Sequence, residues 1–174
     1  MFVVEKQDFS GFEMAGIVTM RIMGNSVPNG KNLTVQIDID ETITALPEFF
    51  SAITKGLRQA GHRVIVVSSR VDEGDCRKKS LEELREYGIE FQALHLCPKP
   101  EHLDVLRIPD DLHPAHKIYI GKLFVAEDEK VDVLIDDCGI TSELFGKYLP
   151  HVRILKVMPP SRIQREPRAV DKPD

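Results

Sequence analysis

Little in this sequence pulls it toward a specialised class. Its three cysteines, Cys76, Cys97 and Cys138, are odd in number and form no CxxC pair, which argues against the disulfide framework of a secreted domain and for a reducing compartment. No run approaches the ~18 apolar residues of a membrane span. The opening MFVVEKQDF carries too short an apolar stretch for a signal peptide. A cytoplasmic protein without a membrane partner is expected. Positive charge is in deficit: 23 Lys and Arg against 28 Asp and Glu leave a net charge of −5. That balance argues against nucleic acid as a partner, because coating a phosphate backbone needs a cationic surface. Internal repeats and low-complexity tracts are also missing.

What is present is an ordinary globular composition, 42% hydrophobic and 29% charged, on a chain long enough for one domain with one core. Residues 1–32 mix short apolar runs with the turn-rich GNSVPNG and read as an appended hairpin or arm. Residues 159–174, SRIQREPRAVDKPD after two prolines, have almost no apolar content and read as a disordered tail. Between them, over 33–158, short apolar runs alternate with amphipathic stretches, the pattern of βα units and a mostly parallel sheet. Strands are expected at LTVQIDI, HRVIVVSS, FQALHLC, VDVLID and VRILKV. The first helix is expected over 46–60, with Pro47 in its first turn, Phe49, Ile53 and Leu57 at four-residue spacing and Gly61 as the stop. A second is expected over 75–87, with Leu81 and Leu84 on one face and Gly88 beyond its end. A third should run to about 129 and a short fourth from Ser142 to Leu149. Residues 98–115, with four prolines, read as an irregular connection.

The stretch TVQIDIDETIT is the anomaly: it starts as a buried strand and finishes with Asp38, Asp40 and Glu41. Ionised carboxylates crowded at a strand end repel one another and resist desolvation, so a cation is expected near them. In parallel α/β sheets ligands gather beyond the carboxyl ends of the strands. The second strand ends in Ser68, Ser69 and Arg70, and the fourth in Asp136 and Asp137. A helix carrying Lys122, 14 residues before Asp136, can reach the same end. Such a set suits phosphoryl transfer. Carboxylates hold Mg²⁺ while its waters and a substrate phosphate complete the shell, and a carboxylate can attack phosphorus to form an aspartyl-phosphate.

The ordered segments DIDET, VIVVSS, a lysine and VLIDD resemble the four motifs of the haloacid dehalogenase-like (HAD) phosphohydrolase superfamily over most of residues 33–157. The resemblance implies a three-layer Rossmann-like α/β fold with a mostly parallel five-stranded sheet, and a Mg²⁺-dependent phosphomonoester hydrolase. It makes Asp38 the nucleophile and a metal ligand. Asp40 becomes the general acid and then base, with its backbone carbonyl on the metal. Thr42 would orient Asp40, Ser68 would bind a phosphoryl oxygen with Ser69 beside it, and Lys122, or Lys117 as the alternative, would stabilise the intermediate. Asp136 would complete the metal site, with Asp137 as a more distant or water-mediated partner. An aspartate two positions after the nucleophile separates phosphatases from the dehalogenase and ATPase branches. Glu41 stands where glycine is common and resembles the DxDET form of the protein-phosphatase branch, whereas VLIDD is closer to the nucleotidase-like branch. The substrate, nucleotide-like, small or a phosphorylated macromolecule, therefore stays open.

Other readings carry less. Receiver domains also combine acids, a hydroxyl and a lysine, but their phosphorylated aspartate ends the third strand, which here ends in Leu96 and Cys97. His95, Cys97, His102, His113 and His116 match no compact zinc spacing. Cys138 has no activating partner visible in the sequence and reads as a packing residue. Arg70 reads equally well as a substrate contact or a surface arginine. Ser68 follows Thr42 by 26 positions, which one helix and one strand consume, so no full cap domain is expected. The site should then be open unless the arm or a second subunit of a homo-oligomer covers it. Two alternatives stand beside the phosphatase: a non-catalytic HAD-like binding or scaffolding protein, and a nucleic-acid end-processing phosphatase.

Overall fold

The computed structural model describes residues 22–23, 31–98, 112–113 and 116–158. The connection read at 98–115, the arm at 1–32 apart from its short strand, and the tail at 159–174 lie largely or wholly outside them. Among the described residues six strands form one sheet: β1 (Ile22–Met23), β2 (Thr34–Ile37), β3 (Arg63–Val71), β4 (Ala93–Cys97), β5 (Val133–Asp136) and β6 (Arg153–Lys156), in the order β1-β6-β5-β2-β3-β4. The last five in that order are all parallel, as expected, and only the two-residue β1 pairs antiparallel, with β6.

Alternation along the strands decides which helices cover which face. Val64 and Val66, with Val35, Ile37, Val133 and Ile135, pack against Phe50 of α1 (Pro47–Gln59) and Leu84 of α2 (Cys76–Glu86). Ile65, Val67 and Leu134 point the other way. They meet Ile120, Leu123 and Ala126 of α3 (Lys117–Asp128) and Leu144 and Phe145 of α4 (Gly139–Tyr148). The result is a three-layer Rossmann-like α/β fold with the sheet in the middle.

Two helix faces differ from the sequence expectation. In α1 the buried positions are Phe50 and Thr54, and Phe49 is exposed, its ring edge-on to that of Phe50. In α2 the inner face is Ser80 and Leu84, while Leu81 is exposed. In α1 the adjacent Phe49 and Phe50 both satisfy a periodic pattern, and only the fixed phase of the helix against the sheet chooses between them. The stops fall where expected. Gly61 has φ +84 and Gly88 φ +69, and His62 N–H reaches back to Leu57 O at 2.9 Å, as Ile89 N–H does to Leu84 O at 2.9 Å, the closure of a left-handed helix terminus.

The chain leaves β2 toward β3 and β4 on one side and later returns to place β5 and β6 on the other. The point where strand order reverses therefore lies between β2 and β5, and the crevice beyond their carboxyl ends is where this architecture accepts ligands.

Candidate functional site

Asp38 and Asp136 meet at that switch point because parallel pairing leaves no other place for them. Ile37 stands opposite Ile135 in the β2–β5 ladder, and Asp38 N–H continues it with a 3.0 Å bond to Ile135 O. The next residues on each strand thus emerge side by side. Asp38, Asp136 and Asp137 each offer a carboxylate oxygen within 4.8 Å of the others. They are 5%, 0% and 4% exposed, and Lys122, at 3%, reaches in from α3.

Lys122 Nζ lies 2.8 Å from Asp38 Oδ1 and 2.8 Å from Asp136 Oδ2, so it bridges the two strand ends. Lys117, the other candidate lysine, is an exposed residue at the first position of α3. The helix reaches this depth because it lies close over β4: a Cβ at Gly121 would come 3.1 Å from Cys97 Sγ. Asp136 Oδ1 accepts a 2.7 Å bond from Cys138 N–H, so both its oxygens are held. Cys138 acts here through its backbone, leading into α4.

The electrostatics follow from burial. Desolvation pushes the Asp38 carboxyl up to about 7, with Lys122 pulling it back and Asp136 adding to the rise. Burial works to lower the Lys122 ammonium, but Asp38 and Asp136 overcome it and hold the group above the ordinary lysine value. Asp38 and Asp136 share the Lys122 ammonium, so with both ionised this buried pair carries one negative charge more than the cation between them. A divalent cation fits both that deficit and the hard oxygen donors of Asp38, Asp136 and Asp137.

Asp40 diverges from this trio, whereas Thr42 stays beside it. After Asp38 the chain makes a single wide turn, Ile39–Ile43, with Glu41 at φ +55. Thr42 is buried and its Oγ1 lies 3.3 Å from Asp137 Oδ1, so its bond goes to Asp137 and not to Asp40. The carboxylate of Asp40, about half exposed at 53%, stands apart from the metal-type cluster. Ser68 Oγ lies 3.2 Å from Asp40 Oδ2, and Arg70 grips both oxygens, Nη2 to Oδ1 at 2.6 Å and Nε to Oδ2 at 3.0 Å. Ser69 Oγ is buried and has no hydrogen-bond partner.

Arg70 is the residue that sequence reasoning left undecided. Strand β3 pairs regularly with β4 up to Ser68–Leu96 and then shifts register before Val71–Cys97. A bulge of this kind re-aims side chains at a strand end, and here it involves Ser69 and Arg70. Among the described residues the aspartate trio is the only cluster suited to a metal. His95 Nε2 instead lies 3.0 Å from Glu129 Oε1, and the rings of His113 and His116 lie 5.3 Å apart, tilted by 50°.

No described helix is long and apolar enough to cross a membrane. No family model and no curated protein matches the sequence. Solved structures do match in fold. One is a chain from a structure described as the Pnkp1/Rnl/Hen1 complex, with a TM-score of 0.50 and 18% identity over 75% of this chain and 47% of that one. Another, from the Pnkp1/Rnl/Hen1 RNA repair complex, has a TM-score of 0.49 and 16% identity over 76% and 44%. This chain therefore spans less than half the length of either neighbour, and what it shares with the first of them is the α/β fold.

Proposed function

We propose that this protein is a Mg²⁺-dependent phosphomonoester hydrolase of the haloacid dehalogenase-like kind, working through an aspartyl-phosphate on Asp38. The observation that carries the reading is Lys122 bridging Asp38 and Asp136 where three carboxylates converge at the switch point. Asp38, Asp136 and Asp137 would hold the ion, which when bound supplies charge neutralisation for the phosphoryl oxygens and orients them toward Asp38.

The chain's own residues then divide the work. A carboxylate oxygen of Asp38 attacks phosphorus, the bond to the ester oxygen breaks, and Asp40 gives that oxygen its proton. In the second half Asp40 takes a proton from water as the water oxygen attacks phosphorus. The acyl-phosphate bond then breaks, returning the Asp38 carboxylate and releasing inorganic phosphate. Lys122 keeps its charge throughout, since both of its acidic neighbours favour the ammonium, and it steadies the negative charge passing through Asp38. Between Thr42 and Ser68 the chain holds only α1 and most of β3. No inserted domain at that point restricts the leaving group, which favours a broad or bulky range of phosphate esters.

The test is hydrolysis of p-nitrophenyl phosphate with Mg²⁺, with chelator and with Asp38→Asn. It is followed by a panel of nucleoside monophosphates, sugar phosphates, a phosphopeptide and an end-phosphorylated oligonucleotide. Metal-dependent turnover that disappears in Asp38→Asn is the expected result. Full activity in that variant overturns the mechanism, and silence across the panel leaves the non-catalytic binding reading in its place.

A further inference from the structure

Asp40 is held by a chain of contacts that begins on a different layer of the fold. Arg70 uses one side of its guanidinium on Asp40. Its Nη1 faces the other way, 2.5 Å from Glu83 Oε2 and 3.2 Å from Ser80 Oγ. Ser80 and Glu83 are three residues apart on α2, so they project from one face of that helix. Ser80 is fully buried and Leu84, the next residue of that face, is fully buried in the core. The Arg70 side chain is 23% exposed and that of Glu83 27%, so this pair is more shielded than a surface ion pair. Burial works against the charge on Arg70, and the bonds to Asp40 and Glu83 more than restore it, leaving the guanidinium above its ordinary value. Ser68 completes the cradle: its Oγ accepts from Arg70 N–H at 3.1 Å and donates to Asp40 Oδ2 at 3.2 Å.

We propose that Glu83 is a positioning residue for proton transfer: by anchoring Arg70 to α2 it fixes the guanidinium on which the Asp40 carboxylate is aimed. The inference rests on the phosphatase reading, because Asp40 has a proton to move only if that reading holds. The Asp40 side chain is about half exposed, stands beside the left-handed Glu41, and is held at its carboxylate by Ser68 and Arg70. A carboxylate that must first give and then accept a proton has to free one oxygen at each step. With Arg70 tied down on its far side, Asp40 can release one oxygen and pivot on the other while the guanidinium stays in place. With Glu83 gone, Arg70 retains only neutral Ser80 on that side and is free to follow Asp40 outward. A surface arginine that merely covered the strand end would not place all three nitrogens of its guanidinium on these three partners.

The leaving group separates this role from a structural one. A p-nitrophenolate departs without a proton, whereas an alkoxide needs one from Asp40 at the moment the ester bond breaks. First-turnover release of the leaving group is measured by rapid quench for p-nitrophenyl phosphate and for a simple alkyl phosphate. The proteins are wild type, Glu83→Gln and Arg70→Lys, with a melting curve for each. Glu83→Gln keeps shape and loses charge, and Arg70→Lys keeps charge and loses the two-sided fork. Misplacement of a catalytic group by about 1 Å costs on the order of a hundredfold. Both variants are therefore expected to lose roughly tenfold to a hundredfold on the alkyl ester and under about threefold on the nitrophenyl ester. An equal loss on the two esters, or no loss on either, overturns the positioning role. A wild type inactive on both esters, or an Asp38→Asn variant that still turns over, overturns the phosphatase reading beneath it. These two failures are distinct in the data.

Discussion

Lys122 Nζ stands 2.8 Å from Asp38 Oδ1, a contact between α3 and the end of the central strand β2 in which neither side chain is more than a tenth exposed. Neither charge would be tolerated there alone, and Asp136 on the neighbouring strand shares the same ammonium. Removing the cation strands two acids in a crevice with no replacement. Lys122→Met, close in length and without charge, is expected to destabilise the metal-free protein by about 3 kcal/mol, the range for breaking a buried ion pair from one side. Urea unfolding of both proteins measures it, and Mg²⁺ should return part of the loss. A change within about 0.5 kcal/mol, ordinary for a surface substitution, would mean that the contact contributes little.

Glu41 is the one non-glycine residue of the candidate site with a left-handed backbone, φ +55. That conformation costs an L-residue with a Cβ roughly 1–2 kcal/mol, partly offset here by the 3.0 Å bond from Glu41 N–H to Thr44 Oγ1. Glu41→Gly removes the steric conflict and keeps that bond. A gain of about 1 kcal/mol in unfolding free energy is expected after the glycine's own entropy cost, read from the denaturant midpoint. If the midpoint falls, the turn is held by the Glu41 side chain and not strained by it.

Much of this was legible in the sequence for a physical reason. Strand ends, parallel pairing and the switch point are consequences of alternation and of βα order, so the meeting of Asp38 with Asp136 follows from elements that a linear pattern reveals. Helix and strand dimensions favoured Lys122 over Lys117 and left the choice between them open. The phase of α1 was not legible, since Phe49 and Phe50 are both apolar and only packing on the sheet turns Phe50 inward. The partners of Asp40 were hidden more deeply. They depend on a register shift in β3 after Ser68 and on Ser80 and Glu83 arriving from α2, and no spacing in the sequence encodes a bulge. Thr42 was placed beside Asp40 by its position in the motif, whereas the turn around Glu41 carries its hydroxyl to Asp137.

Burial raises the Asp38 carboxyl to about 7 from an ordinary 3.8, and the sign of the consequence is set by which state binds the proton. Between about pH 4 and pH 7 the folded, metal-free protein holds a proton that the unfolded chain has released. This group's contribution to stability therefore falls as pH rises through that window. A metal ion requires the ionised carboxylate, so its binding releases that proton below about pH 7. The rise in melting temperature on adding Mg²⁺ should thus be small at pH 5, grow through pH 6 and 7, and level off by pH 8. An increment equal at pH 5 and pH 8 would show that the ion does not use Asp38.

Thr42 offers the cleanest separation of metal binding from folding. Its hydroxyl is fully buried and lies 3.3 Å from Asp137 Oδ1, where it can fix which carboxylate oxygen faces Asp38 and Asp136. Thr42→Val preserves the branched shape at this buried position and deletes the hydroxyl that bonds Asp137. Outer partners of a ligand are worth about tenfold to a hundredfold in metal affinity when removed. Thr42→Val should accordingly weaken binding by about tenfold, measured by calorimetric titration with MgCl₂ or MnCl₂. The fold should survive, because only one hydroxyl-to-carboxylate bond is lost, worth roughly 1.5–3 kcal/mol at most for a charged acceptor. If the variant melts as the wild type does and binds the ion equally well, Asp137 is held by other groups. Retained binding in Thr42→Val together with lost binding in Asp137→Asn would keep Asp137 as a ligand and remove Thr42 from its support.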